Sequence, residues 1–419
     1  LPETILGQLN LSRADPEEPW QSFDEREWDR SLPWLDQGGL ALYFRHHLKG
    51  TNGMDVPDHV RAKLDRRSAD NQLRVADTVR ELKTLSEAFA TAGIPYAFLK
   101  GIALTPDYCP DPVLRTQYDH DVLVDPAFLE GAEGVLSKAG YRRKHTSEKQ
   151  YVVYCPPEPE VRFSESSEAR YSPMLGRSIE LHLMLWESAE EKIDITLPQD
   201  FLQRSTVRRW RDVEYVALCD EDCLLFQILH AFRHILRNWC RLSTFLEIAC
   251  FLEQRASDRV FWNRFADRIE NLRWVPEASL VVFSLARDLF GASLPQQIQG
   301  RLTTRLSPAL NLWIQTFGRR SARSNFNGDK CSLFLHREFV EDPVEWTNIR
   351  RRRLFPVRRP HRPPAIVFQR GFSYTGRLWM ENIHALRRLW FHAAAGLRYA
   401  CEYPVWTFRR ARLAGSAGA

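Results

Sequence analysis

Apolar positions near the start of the chain recur at helical spacing. Leu32, Leu35, Leu40, Tyr43 and Phe44 predict helix from Trp28 to Leu48, interrupted at Gly38-Gly39. Over residues 59–92 the positions Val75, Val79, Leu82, Leu85 and Phe89 repeat every three or four residues, one apolar face of a long helix. Gly93 stops that helix and Pro95 prevents its resumption. Residues 1–27 are polar and rich in proline and glutamate, and predict little order.

The pattern then shortens to strand length. Tyr96–Lys100 and Tyr118–Val124 are strand candidates, separated by Gly101, a brief helix to about Tyr108, and a Pro110-Asp111-Pro112 loop. A helix over Pro126–Ala139 starts on proline and ends at Gly140, and strand-like stretches follow at Tyr151–Cys155 and Ser178–Leu185. After Pro198 the spacing turns helical again, over Asp220–Arg237, Leu242–Gln254 and Val260–Asn271, with more helix across 276–317. Arg350–Pro364, with four prolines, predicts a non-helical linker, followed by helix around Arg377–Tyr399. The expected organisation is a poorly ordered 1–27, a helical region 28–93, an α/β core 94–198, a helical domain 199–346 and an Arg/aromatic region 347–419. The fold class is α+β, a small sheet flanked by helical regions on both sides.

Charge adds an asymmetry. From Thr347 onward the chain has fifteen arginines, two glutamates and no lysine, +13, which leaves −8 for residues 1–346 of a protein of net charge +5. Such a region suits RNA, a peptide, a membrane surface, or a helical cap pairing with the acidic body. No apolar run reaches the roughly 20 residues of a membrane span. The first residues lack a basic start and an apolar block, so a cytoplasmic location is expected. The eight cysteines are scattered without a Cys-x-x-Cys pair, which argues against a structural zinc site.

Candidate chemistry gathers between Phe98 and Leu185. Asp119 and Asp121 are one residue apart on a predicted strand, so both carboxylates share a face while His120 faces away. Side-by-side carboxylates repel unless a cation joins them, and hard oxygen ligands suit Mg²⁺ or Mn²⁺. Glu180, on a later strand, supplies a third carboxylate, as metal ligand or proton acceptor. His182 projects from the same face toward an acceptor or phosphate. Lys100-Gly101 ends the first strand where backbone N–H groups and a lysine charge would meet a phosphate, and Arg115 is a second phosphate clamp candidate. The Walker phosphate loop is absent. His230 and His234, four apart on a predicted helix, are candidate contacts to nucleotide or acceptor, with structural hydrogen bonding as the bland alternative.

The residues LKGIAL, PDPVLRTQYDHDVLV, GY and IELH, in that order, resemble the uncharacterised nucleotidyltransferase family of the DNA polymerase β-like superfamily, over about Trp28 to Glu253. The family pattern falls on Leu99, Lys100 and Gly101; on Arg115; on Asp119, Asp121, Leu123 and Val124; on Gly140 and Tyr141; and on Glu180, Leu181 and His182. Lys-Gly stands where the superfamily carries Gly-Ser, and His120 replaces an aliphatic residue. The resemblance implies a small mixed polymerase-β-like sheet. It also implies metal-dependent transfer of a nucleoside monophosphate from an NTP, ATP by default, with release of pyrophosphate. The expected acceptor is a hydroxyl of a small molecule, peptide or protein. An RNA-directed enzyme using 347–419 and a non-catalytic binding module are the alternatives.

Overall fold

The computed structural model describes residues 1–12, 20–50, 56–144, 150–156, 170–173, 176–323, 329–355 and 374–416. Four helices lead: α1 (Pro2–Gln8), α2 (Glu25–Gly38), α3 (Ala41–Gly50) and the 34-residue α4 (Asp58–Thr91). Asp24 starts α2 with a reciprocal cap. Its carboxylate accepts from the Glu27 N–H, and its own N–H donates to the Glu27 carboxylate. Gly39, at φ +72°, turns the chain into α3, a conformation other residues adopt only under strain.

Residues 1–12 depart from the expected lack of order. Ile5, Leu6 and Leu9 of the N-terminal segment are buried, and the Leu11 N–H donates to the Phe290 carbonyl at 2.8 Å. Three apolar side chains on one short helical face suffice to dock it.

The sheet contains β1 (Tyr96–Phe98), β2 (Asp119–Val124), β3 (Arg142–Lys144), β4 (Tyr151–Cys155), β5 (Ser178–His182), β6 (Thr206–Trp210) and β7 (Val213–Ala217). Its spatial order is β3-β4-β5-β2-β1-β7-β6. The pairs β2–β5 and β1–β7 are parallel and the others antiparallel, so the sheet is mixed. It runs past residue 198, because β7 pairs with β1 through Phe98 and Ala217 and carries β6 on its far side.

Two short helices lie between strands, α5 (Leu129–Lys138) and α6 (Ser188–Glu191). Then come α7 (Asp220–Arg237), α8 (Leu242–Gln254), α9 (Arg259–Ile269), α10 (Val275–Phe290), α11 (Gln296–Leu302), α12 (Pro308–Trp313), α13 (Arg319–Arg323), α14 (Ser332–Arg337), α15 (Pro343–Leu354) and α16 (Tyr374–Ser416). Arg350–Leu354 are helical rather than linker, because Asp342 caps α15 and the prolines begin only at Pro356. The remainder of the expected linker, 356–364, lies outside the described residues.

Strand alternation divides the buried side chains between two cores. Val122, Val124, Ile179 and Leu181 pack with Leu82, Leu85 and Phe89 of α4 and Leu136 of α5. On the other face, Ala97, Leu99 and Leu123 join the core of α7, α8 and α10. The even-numbered residues of β2 therefore look toward α4, and the odd-numbered ones toward the helical domain. α16 caps part of that domain, with Tyr399 and Trp406 stacked on Phe334 at 4.7 and 5.2 Å between ring centroids.

Candidate active site

Parallel pairing of β2 and β5 sets Asp121 opposite Glu180 and Leu123 opposite His182. One ligand atom from each of Asp121, Glu180 and His182 lies within 4.8 Å of the other two. Two acids come together because the two strands share a register, and His182 joins them two residues on, from the same face. The sequence placed Asp119 in the metal set and His182 outside it. Asp119 lies opposite Ser178, one pleat before Asp121 and close enough for the Asp121 charge to act on it.

The surroundings are cationic. Lys100 Nζ stands 2.8 Å from Asp121 Oδ1, and His182 Nε2 is 3.0 Å from the same oxygen. Burial alone would raise the Asp121 carboxyl, but Lys100 and His182 outweigh it and hold it well below the usual carboxylate range. Asp119 moves the other way, raised by burial and by the Asp121 charge. Burial pulls the His182 imidazole down against the opposing bond to Asp121, favouring its neutral form. With the ring neutral and Nε2–H donating to Asp121, Nδ1 carries the lone pair.

Two buried polar atoms, Asp121 Oδ2 and His182 Nδ1, have no hydrogen-bond partner among the described residues. A buried carboxylate oxygen left unpaired is costly, and a divalent cation bound there would remove the cost. Two carboxylates and an imidazole are an accepted donor set for Mn²⁺ and a usable one for Mg²⁺. The residues present therefore fit a metal.

Lys100 ends β1 and caps a single 3₁₀ turn, Gly101–Leu104. Gly101 has φ +71°, and a Cβ there would run into the Gln117 side chain. The glycine is thus required by the turn and by Gln117, independently of any phosphate. Arg115 is bound to Glu247 of α8 at 3.1 Å, where Tyr43 Oη also donates at 3.2 Å, and its charge still reaches Asp119. Its guanidinium ties the approach to β2 onto the helical domain.

His230 and His234 sit on α7 within reach of the Lys100 charge. Phe226, one turn before His230, stacks on the His230 ring and meets His182 edge-on, and Lys100 Nζ lies 5.7 Å from its centre. His234 Nδ1 is 2.7 Å from the Trp239 carbonyl, which only accepts, so Nδ1 carries the proton. In the neutral ring Nε2 then accepts from His230 Nε2 at 3.1 Å. Burial and the nearby Lys100 charge push His234 down to about 3 and His230 well below its usual value. The pair is a neutral hydrogen-bonded couple beside Phe226.

Seven residues beyond His230 on the same face, Arg237 borders a cavity of about 790 Å³ that Glu191, His336, Asn348 and Arg353 also line.

A polar stripe on α4 escaped the sequence reading. Asn71 Nδ2 donates to the carbonyls of Val113 and Arg115, at 2.8 and 3.2 Å. Arg74 donates to Gln117 and Ser172, at 2.9 and 3.0 Å. Glu81 receives His120 at 2.9 Å and Arg177 at 2.5 Å. The stripe holds both strand entries, residues 113–120 and 177. The signal was present: Asn71, Arg74, Thr78 and Glu81 repeat every three or four residues inside a helix read only for its apolar face.

A mixed sheet thus presents in-register acids beside a lysine turn. A model of the uncharacterised nucleotidyltransferase family matches residues 24–291, which include every element of that site. The chain belongs to this family, and so is a nucleotidyltransferase, an enzyme of phosphorus-group transfer. No curated protein and no solved structure is significantly similar to it. Among the described residues no helix is long and apolar enough to cross a membrane.

Proposed function

We propose that this nucleotidyltransferase is metal-dependent and moves a nucleoside monophosphate, AMP by default, from an NTP to a hydroxyl group with release of pyrophosphate. The observation that carries the reading is the convergence of Asp121, Glu180 and His182, whose ligand atoms lie within 4.8 Å of one another. Asp121, Glu180 and His182 would hold Mg²⁺ or Mn²⁺, with Asp119 at its edge. When bound, such an ion neutralises phosphate charge and acidifies the attacking hydroxyl.

The chain's own groups do the rest. The acceptor oxygen attacks the α-phosphorus in line. The new P–O bond forms as the bond to the bridging oxygen breaks, and pyrophosphate leaves with that electron pair. Glu180 takes the hydroxyl proton. Lys100 offers its charge to the departing pyrophosphate. Phe226 and the neutral His230–His234 couple stand beside His182 and Lys100 without adding charge. The cavity near Arg237 lies about 10 Å along α7 from His230, by helical rise. Its volume is in the range of metabolite pockets.

The test is incubation of the protein with Mg²⁺ or Mn²⁺, cell extract, and ATP labelled at the α or the γ phosphate. Label from the α position in a product, lost with Glu180→Gln and with chelator, is the expected result. Label from γ alone would mean phosphoryl transfer and refute the reading. The same assay with GTP, CTP and UTP identifies the donor.

A further inference from the structure

We propose that the outer face of α16 is a docking surface for an anionic lipid bilayer, with the helix lying in the headgroup layer. This inference is independent of the nucleotidyl transfer reading.

α16 is two-sided. Ala395, Tyr399 and Trp406 are buried against the helical domain. At 100° per residue the opposite side carries Leu386, Leu389, Trp390, Leu397 and Phe408, all within a sector of about 100°. These are among the most exposed large apolar side chains of the protein, at 65, 66, 76, 68 and 62% exposure. The stretch from Leu386 to Phe408 is about 33 Å long. An apolar patch of that length on a water-facing helix marks an interaction surface.

Charge selects the partner. Arg387, Arg398, Arg409 and Arg412 fall along one flank of the apolar sector. The acidic side chain described on this helix, Glu402, lies on the buried side and pairs with Arg320 at 3.1 Å. A second copy of the chain would bring two arginine flanks together without acids between them. RNA would satisfy the arginines and leave Trp390 and its neighbours in water. An anionic bilayer takes both, apolar side chains among the acyl chains and guanidinium groups among the phosphates. Among the described residues no helix is long and apolar enough to cross a membrane, in keeping with a helix that lies on the surface.

The test is co-sedimentation of the full chain with two kinds of vesicle, pure phosphatidylcholine and phosphatidylcholine mixed with phosphatidylglycerol. Light scattering of the lipid-free protein runs alongside. The expected result is binding to the mixed vesicles only, weakened by salt. The double variant Leu389→Asp, Trp390→Asp lowers it at least about tenfold. Arg387→Gln, Arg409→Gln and Arg412→Gln each weaken it roughly fivefold. These side chains are exposed, so melting temperature and circular dichroism stay as in the parent and separate lost docking from lost fold. Three outcomes overturn the proposal: no binding to either vesicle, equal binding to both, or a dimer that the double variant dissociates. RNA binding that survives the double variant while vesicle binding is absent would assign the arginines to nucleic acid instead.

Discussion

His120, the residue between the two aspartates, points away from them, and its Nε2 lies 2.9 Å from Glu81 Oε2 on α4. The same carboxylate holds Arg177, which immediately precedes β5. One side chain on the far side of the sheet therefore sets the strands that carry Asp121 and Glu180. Register across β2 and β5 decides whether those two acids meet, since a slip of one residue would turn Glu180 to the α4 side.

Acid should unfasten this clamp. Burial alone would raise the Glu81 carboxyl, but bonds from Arg177 and His120 outweigh it and bring it down to about 2, from 4.5 when unperturbed. A carboxyl depressed by folding contributes stability above its unfolded pKa and loses it as pH falls. The loss runs from about pH 4.5 to about 2 and amounts to roughly 3 kcal/mol. Glu81→Gln should flatten that part of the stability-versus-pH curve in denaturant unfolding. An unchanged acid limb would mean the clamp carries no such free energy.

Metal binding should distinguish the two aspartates. Asp121 belongs to the converging set and Asp119 does not. Asp121→Asn is expected to weaken Mn²⁺ binding by about 10- to 100-fold, and Asp119→Asn by only a few-fold. Calorimetric titration of Mn²⁺ into each variant reads this directly. Equal losses would return Asp119 to the inner set.

The Arg115–Glu247 pair should behave as a structural bolt. Glu247→Met leaves a buried guanidinium without its carboxylate and should cost about 3–5 kcal/mol, while Arg115→Met with Glu247→Met recovers most of it. Thermal unfolding of the two variants checks this. If Arg115→Met alone left stability intact but weakened nucleotide binding, the phosphate clamp inferred from sequence would stand.

His230 and His234 should remain neutral at physiological pH. Nitrogen chemical shifts of the two imidazoles are expected to show Nδ1–H on His234, Nε2–H on His230, and no protonation of His234 until about pH 3. Titration of either ring near its usual value would mean that the couple opens to water.

Much of the fold was legible because periodicity reports which face of an element is buried. The long α4, the β1 and β2 stretches and the α7 and α8 helices follow from apolar spacing, and Gly39 and Gly93 mark turns. Residues 1–12 were misread because Ile5, Leu6 and Leu9 make too short a face to stand out among polar neighbours. The run Arg350–Arg353 was misread because its prolines begin one turn later than the arginines.

The sequence by itself determined the element types, the odd-even division of β2 between two faces, and the family to which the chain belongs. Those are properties of residue type and local spacing. Only the tertiary structure decided that Asp121, Glu180 and His182 converge, that Arg115 pairs with Glu247, and that the apolar side of α16 faces outward. Each depends on which distant segments become neighbours, through strand register and helix packing, and no local pattern encodes that distance.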